Sequence, residues 1–198
     1  MTNFRTVLPK MAYPFKISHQ NAILCLGSCF AEHIGKRLSA FQFPTLVNPF
    51  GILYHPISIA DHLQHLLDGN SYSADELFQH QGLWHHFQFH SRFSGTDSEE
   101  VLEKINEQNR LSRSFLETAD CIIITLGTAR VFRDRSSGQI VANCHKLPGS
   151  QFEKKLLSVS DCVHSLASAF EKLKKRHSNI NIILTLSPVR HILSLIHI

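Results

Sequence analysis

The stretch AILCLGSCFAEHIGKRL, residues 22–38, joins an apolar segment directly to a helical pattern through Gly27, Ser28 and Cys29. A short apolar run followed at once by a helix is typical of a strand buried on both faces of a parallel sheet. Ser28 then lies at the carboxyl end of the strand, where open α/β sheets bind their ligands. Serine is also a preferred helix N-cap, and the spacing alone favours the cap over a nucleophile.

The rest of the chain alternates in the same way. Two further apolar runs, 121–127 and 181–187, predict strands. Helical patterns occupy residues 30–41, 56–67, 98–119 and 158–176. In the last of them, apolar residues recur at helical spacing and predict a helix that lies on the sheet: Val159, Val163, Leu166, Phe170 and Leu173. The pattern indicates an α/β protein with a mainly parallel sheet.

Two stretches interrupt this alternation. Residues 83–95 and 129–146 resemble hairpin excursions, and the second is expected to turn at residues 136–138. Insertions that follow strand ends usually build binding sites, because loops on a rigid scaffold carry function more often than cores do. Both stretches are therefore expected to overhang the carboxyl edge of the sheet.

Composition excludes several classes of protein. The 198 residues are 43% hydrophobic and 18% charged, which is typical of a globular domain. A net charge of +4, with its one basic cluster at a predicted helix end, does not predict nucleic-acid binding. The N-terminus has no signal-like apolar region and no run approaches a membrane span, so we expect a cytoplasmic protein that binds no membrane.

The cysteines and histidines predict structural roles more readily than metal chemistry. Five cysteines without a CxxC pair fit a reducing compartment. Cys29 is expected to pack at the helix–sheet interface, the alternative being a thiol activated by the helix dipole. His85, His86 and His90 lack a nearby carboxylate or cysteine to complete a ligand set, so a polar strand face is favoured over a metal site. No cofactor is predicted.

Several segments carry a resemblance to a known family. They are GSCFA (27–31), NPFGILYHP (48–56), FHSRFSG (89–95), LGTARVF (126–132), NCHK (143–146) and SPVRH (187–191). Together they resemble the GSCFA family, a bacterial branch of the SGNH (GDSL-like) hydrolase superfamily. We therefore expect a three-layer α/β/α sandwich with a mainly parallel, flavodoxin-like sheet.

The resemblance implies a serine hydrolase site. Ser28 falls where the superfamily has its nucleophile. The implied oxyanion-hole donors are the N–H groups of Ser28 and Gly51 and the side-chain amide of Asn48. A third block falls on Gly127 and Thr128, where threonine replaces the asparagine that the superfamily uses.

The implied base is missing from the sequence. SGNH proteins carry it in a late Asp-x-x-His block, which is expected beyond residue 198. Residues 193–198, LSLIHI, are interpreted as a non-native tail, so that residues 1–192 form a domain incomplete at its C-terminus. His90, Ser91, His145 and His191 are predicted to line the substrate pocket.

The predicted reaction is ester hydrolysis or acyl transfer on a small-molecule or carbohydrate ester, through an acyl-enzyme on Ser28. Without the base, the 198-residue chain alone is expected to be inactive. The alternative function is a noncatalytic carbohydrate- or acyl-binding module on the same fold. The sequence predicts no oligomeric state.

Overall fold

A computed structural model describes residues 13–186. Its strands, in chain order, are β1 Ile23–Gly27, β2 Thr45–Val47, β3 Leu77–His80, β4 Leu83–His86, β5 Cys121–Leu126, β6 Arg130–Asp134, β7 Ile140–Val141, β8 Phe152–Leu156 and β9 Asn181–Leu186. Its helices are α1 Cys29–Ala40, α2 Pro56–Asp68, α3 Ser98–Thr118 and α4 Val159–Arg176.

A parallel four-stranded sheet forms the centre of the protein, with the strand order β2-β1-β5-β9. Successive side chains of β1 point to opposite faces, as in any strand. Leu24 and Leu26 join the larger core, which contains residues of α2, α3 and α4. Ile23 and Cys25 join a smaller core that includes Leu38 of α1. Helices on both faces give the expected three-layer α/β/α fold, and the three predicted strands of this sheet are confirmed.

All four predicted helices are present within a residue or two of their expected ends, and each begins with a capping side chain. Ser28 caps α1, His55 caps α2, Asp97 caps α3, and Ser158 forms a capping box with α4. None of the helices within residues 13–186 is long and apolar enough to cross a bilayer.

The expected apolar stripe of α4 is only partly buried. Leu166 and Leu173 enter the larger core, but Val159 and Val163 are 81% and 60% exposed. The helix therefore lies on the core as predicted, but two residues of its expected apolar stripe do not reach it. The first turns of α4 extend past the core, and only the later turns pack on it.

The first excursion differs from its prediction. The hairpin is β3–β4, and it turns at Gln81 and Gly82, whose positive φ angles suit a two-residue turn. Its first strand precedes the predicted range of 83–95. The remainder of that range runs through a short 3₁₀ turn, Ser91–Phe93, and returns to β4 by a bridge between Trp84 and Gly95.

The second excursion contains the predicted hairpin, β6–β7, with its turn over residues 135–139. A third strand, β8, was not predicted and pairs with β6 to complete an antiparallel sheet of order β7-β6-β8. Only Phe152 of β8 is buried, so the strand lacks the apolar alternation that would reveal it in the sequence.

Candidate active site at the β1–α1 junction

Gly27 and Ser28 form the turn from the central strand into α1. Gly27 has φ +128°, and a Cβ atom there would lie 2.2 Å from the Thr125 carbonyl oxygen on β5. Only glycine fits this close approach of two backbones. Ser28 follows in an extended conformation, so its side chain lies at the carboxyl end of β1 and the start of α1.

The Ser28 hydroxyl acts as the N-cap of α1 in this structure. Its Oγ accepts a hydrogen bond from the Phe30 N–H at 3.3 Å, and the residue is 4% exposed. The Ser28 N–H donates to the Thr125 carbonyl at 3.1 Å. The cap therefore exists, and it is compatible with a second role because a helix N-terminus also favours negative charge on an oxygen.

The segment 48–51 is fixed against the same strand end. Asn48 donates its N–H to the Cys25 carbonyl at 2.8 Å, and its Oδ1 accepts from the Gly27 N–H at 2.9 Å. The Arg92 guanidinium donates to the carbonyls of Asn48 and Pro49 at 2.6 and 2.9 Å. Asn48 is 1% exposed, and its Nδ2 atom is buried without a hydrogen-bond partner.

Gly51 allows His90 of the first excursion to pack closely against the segment 48–51. It has φ +92°, and a Cβ atom there would lie 2.1 Å from the Cβ of His90. The His90 N–H donates to the Phe50 carbonyl at 3.2 Å, and the His90 Nδ1 accepts from the Arg92 N–H at 3.2 Å. Burial lowers the pKa of His90, and the Arg92 charge lowers it further. Ser91 is exposed beside it.

Gly127 and Thr128 lie on the other side of Ser28. A Cβ atom on Gly127 would be 3.4 Å from the Ser28 Cβ. Both N–H groups donate to the Tyr54 carbonyl, at 2.9 and 3.0 Å. The Gly51 N–H similarly donates to the Asn48 carbonyl at 2.8 Å. The backbone N–H groups of Ser28, Gly51, Gly127 and Thr128 therefore all have carbonyl partners. The Thr128 hydroxyl accepts from the Arg130 N–H at 2.9 Å, and the Asn48 Nδ2 is buried without a close hydrogen-bond partner.

Two predicted site residues remain, His145 and His191. His145 is buried, and its Nε2 lies 2.9 Å from the His86 carbonyl oxygen. His191 lies outside the described residues, as does the predicted tail at 193–198.

Within residues 13–186, no histidine nitrogen hydrogen-bonds the Ser28 Oγ, whose recorded partner is the Phe30 N–H. His55 is close in sequence to the site but faces β7, with its Nε2 3.2 Å from the Val141 carbonyl oxygen. In the same part of the chain, no three His, Cys, Asp or Glu side chains are arranged to hold a metal ion.

Cys29 is exposed, which corrects the expectation that it packs at the helix–sheet interface. The neighbouring Phe30 is also 51% exposed, so these two residues face outward, whereas Ala31 in the same turn is fully buried. Cys25 and Cys121 are buried, whereas Cys162 is half-buried.

Sequence reasoning did not single out Glu32, Tyr54 or Arg92. Burial raises the pKa of Tyr54, and nearby Cys29 and Glu32 add to the rise. A hydrogen bond from Lys36 lowers the pKa of Glu32. Tyr54 and Arg92 lie inside the motifs 48–56 and 89–95, so the motifs could have drawn attention to them. Their roles are hydrogen bonds to backbone groups distant in sequence, which only the folded structure reveals.

The fold and this junction define an α/β sandwich with a candidate serine site at the carboxyl edge of a parallel sheet. Residues 22–197 match the model of the GSCFA family, and the chain belongs to that family. Searches of curated proteins and of solved structures found no significant match.

Proposed function

We propose that the protein is a serine-dependent ester hydrolase or acyl transferase that acts on a small-molecule or carbohydrate ester. The observation that carries the proposal is the position of Ser28, between the end of the first central strand and the start of α1. This position combines the ligand-binding edge of an α/β sheet with the positive end of a helix dipole. The resemblance to the SGNH superfamily supports the same role.

In the proposed reaction, the Ser28 Oγ attacks the acyl carbonyl carbon and its proton passes to a base. The bond to the leaving alcohol breaks, the alcohol takes a proton, and an acyl ester forms on Ser28. Water, or a second hydroxyl in a transferase, then attacks that ester and regenerates the serine. The Phe30 N–H, which already donates to the Ser28 Oγ, stabilises the negative charge that develops on Oγ as its proton leaves.

Asn48 is the proposed main donor to the oxyanion. Its Nδ2 is buried without a close hydrogen-bond partner, although the Asn48 side chain contributes to the lowered pKa of Glu32. The backbone N–H groups of Ser28, Gly51 and Gly127 already donate to carbonyls. A buried unpaired donor costs about 1–3 kcal/mol, and an oxyanion that accepts from it would recover that energy in the transition state. A further backbone donor would have to exchange its carbonyl partner for the substrate oxygen.

The base is proposed to come from outside residues 13–186, because the described histidines of the site motifs, His55, His90 and His145, have other contacts. The Nδ1 of His90 is occupied by the Arg92 N–H, and His55 and His145 face backbone carbonyls. This agrees with the expected late Asp-x-x-His block.

Chemical rescue tests the proposal. The chain is incubated with p-nitrophenyl acetate, with and without added imidazole as a diffusible base, and acetylation of Ser28 is followed by mass spectrometry. We expect little adduct without imidazole and a clear increase with it. Cys29→Ala should still be acetylated at Ser28, whereas Ser28→Ala in the same Cys29→Ala background, where the exposed thiol cannot react, should give no adduct in that peptide. Absence of a Ser28 adduct from Cys29→Ala in the presence of imidazole would refute the serine assignment.

The second candidate function is a noncatalytic carbohydrate- or acyl-binding module. It is favoured by the carbonyl partners of the backbone N–H groups around Ser28, which leave no ready-made pair of backbone donors for an oxyanion. On this alternative, imidazole would produce no Ser28 adduct although ester or sugar binding persists.

A further inference from the structure

A second recess is lined by none of the residues of the Ser28 junction. It is an open cavity of about 740 Å³ between α2, the β3–β4 hairpin and the turn that joins β6 to β7. Its volume is within the range of small-molecule sites. The residues that matter for recognition are His62, His65, Tyr72, Glu76, His86 and Gln88.

Three polar atoms of this cavity are buried without a hydrogen-bond partner: the Nε2 atoms of His65 and His86 and the Oε1 of Gln88. His86 is 6% exposed. The amide nitrogen of Gln88 is already used, since it donates to the Ile140 carbonyl at 2.8 Å. Buried polar atoms normally have partners, so three such atoms around one cavity are available to hydrogen-bond a polar ligand.

The hydrogen-bond pattern fixes which atoms of two histidines carry protons. His62 donates from Nε2 to the Gln88 carbonyl at 2.8 Å, which leaves its Nδ1 to accept from the Tyr72 hydroxyl at 3.3 Å. The His86 Nδ1 accepts from the Gln88 N–H at 3.1 Å. Burial lowers the pKa of His86 to about 4, so at neutral pH its single proton is on Nε2.

His86 and Glu76 form an unbridged donor–acceptor pair. The His86 Nε2 lies 3.8 Å from the Glu76 Oε1, too far for a direct hydrogen bond. The other oxygen of Glu76 is held by the N–H and hydroxyl of Ser73, at 2.7 and 3.1 Å, which fixes the carboxylate. A hydroxyl group between the two can accept from His86 and donate to Glu76, whereas a carboxylate or phosphate oxygen cannot donate.

The charge of the lining also selects against anions. Asp61, Asp75 and Glu76 line the cavity, and no lysine or arginine is among the described lining residues. Ile57 and Ile140 supply apolar surface, which suits the C–H faces of a sugar ring.

We propose that this cavity binds an uncharged polyhydroxylated ligand of mono- or disaccharide size, through hydroxyl groups bridged between His86 and Glu76 and donated to Gln88. The site is separate from Ser28 and does not depend on the proposed esterase function. The two are nevertheless close, because the ring of His62 stacks on Phe50 of the segment 48–51 at 4.1 Å.

Ligand-observed NMR on the chain tests the proposal with glucose, maltose, cellobiose and lactose as neutral probes and glucose 6-phosphate as the anionic counterpart of glucose. Spectra of the histidine ring N–H groups report whether the cavity is the site. We expect millimolar binding of at least one neutral probe, a shift of the His86 ring signal, and clearly weaker binding of the phosphate. Failure of all four neutral probes, or equal binding of the phosphate, overturns the proposal.

Matched variants locate the binding. Glu76→Gln and Gln88→Leu should each weaken binding about tenfold, the loss of one hydrogen bond. Glu103→Gln, an exposed carboxylate on α3, should leave it unchanged. Ser28→Ala should also leave it unchanged, which separates this site from the proposed nucleophile. Binding that persists in both cavity variants would place the ligand elsewhere and overturn the proposal.

Discussion

The Ser28 junction and the histidine-lined cavity are linked by the stacking of Phe50 on His62, but their polar groups are hydrogen-bonded to very different extents. Around Ser28, the backbone N–H groups of Ser28, Gly51, Gly127 and Thr128 all donate to carbonyls, at 2.8–3.1 Å. Around the cavity, three side-chain atoms have no partner. The junction is a rigid backbone arrangement, whereas the cavity is a set of uncommitted side chains.

This difference indicates where each region can change. Ligand binding at the junction must displace an existing hydrogen bond or use the Asn48 amide. Binding in the cavity can instead use side-chain atoms that have no protein partner. Protonation should destabilise the cavity more than the junction, because the histidines of the cavity must stay neutral to remain buried.

The largest expected effect is acid unfolding driven by the buried histidines. Burial lowers the pKa of His55, His86 and His145 to about 4 and that of His62 to about 3. These values lie below the 6.5 of an exposed histidine, so the unfolded chain binds more protons between the two. Stability is then complete above pH 6.5 and falls as the pH drops to 4, by roughly 3 kcal/mol per histidine. Urea unfolding at a series of pH values measures this loss in the free energy of unfolding.

His62→Phe sharpens this prediction. Phenylalanine keeps an aromatic ring against Phe50 but leaves the Gln88 carbonyl and Tyr72 hydroxyl without their partner. The variant should be less stable at pH 7 by about 2 kcal/mol and should lose less stability between pH 6.5 and pH 4. An unchanged pH slope would show that His62 does not contribute to the acid transition.

Gly27→Ala should produce the next largest effect, by disrupting the junction. The added Cβ would meet the Thr125 carbonyl at 2.2 Å in a backbone conformation with φ +128°. We expect a loss of more than about 3 kcal/mol in the free energy of unfolding, or failure to fold.

Gly82→Ala is the matched control. Gly82 also has a positive φ, +76°, but no atom lies within 4 Å of its Cβ position. It should cost about 1 kcal/mol, the strain of a left-handed alanine alone. Equal losses in the two variants, measured by urea unfolding, would contradict the close-packing argument.

The sequence predicted the rigid region better than the cavity, for a physical reason. Local apolar runs and one glycine determine β1, β5 and the turn at Gly27, and such local patterns can be recognised in the sequence. The cavity depends on α2, the β3–β4 hairpin and the β6–β7 turn meeting in space, and no local pattern encodes that meeting. The exposure of Cys29 was missed because the orientation of the first helical turn is set by packing rather than by spacing.

Asn48 offers an intermediate test, because it belongs to the junction but has one free polar atom. Asn48→Gly removes the acceptor of the Gly27 N–H while tolerating the φ of +42°, and should cost about 1–3 kcal/mol. Asn48→Ala should cost roughly 1 kcal/mol more, because alanine is strained at that angle. Thermal unfolding of the pair separates the two contributions. Identical stabilities would mean that strain at residue 48 is negligible.

The smallest expected effect is that of Ser28→Ala on stability. It removes an N-cap and should cost about 1 kcal/mol, similar to Asp97→Ala at the start of α3. Differential scanning calorimetry of both variants makes the comparison. A much larger loss for Ser28 would show that its hydroxyl holds the junction together beyond capping α1.

Cys29 gives this junction a built-in attachment point for an optical reporter. It is exposed, whereas burial raises the pKa of Cys25 to about 12 and those of Cys121 and Cys144 to about 11 and also raises the pKa of Cys162. A maleimide fluorophore should therefore react first at Cys29, one residue from Ser28, without any engineered cysteine. Its emission would then follow the arrival of an ester at the start of α1 in real time.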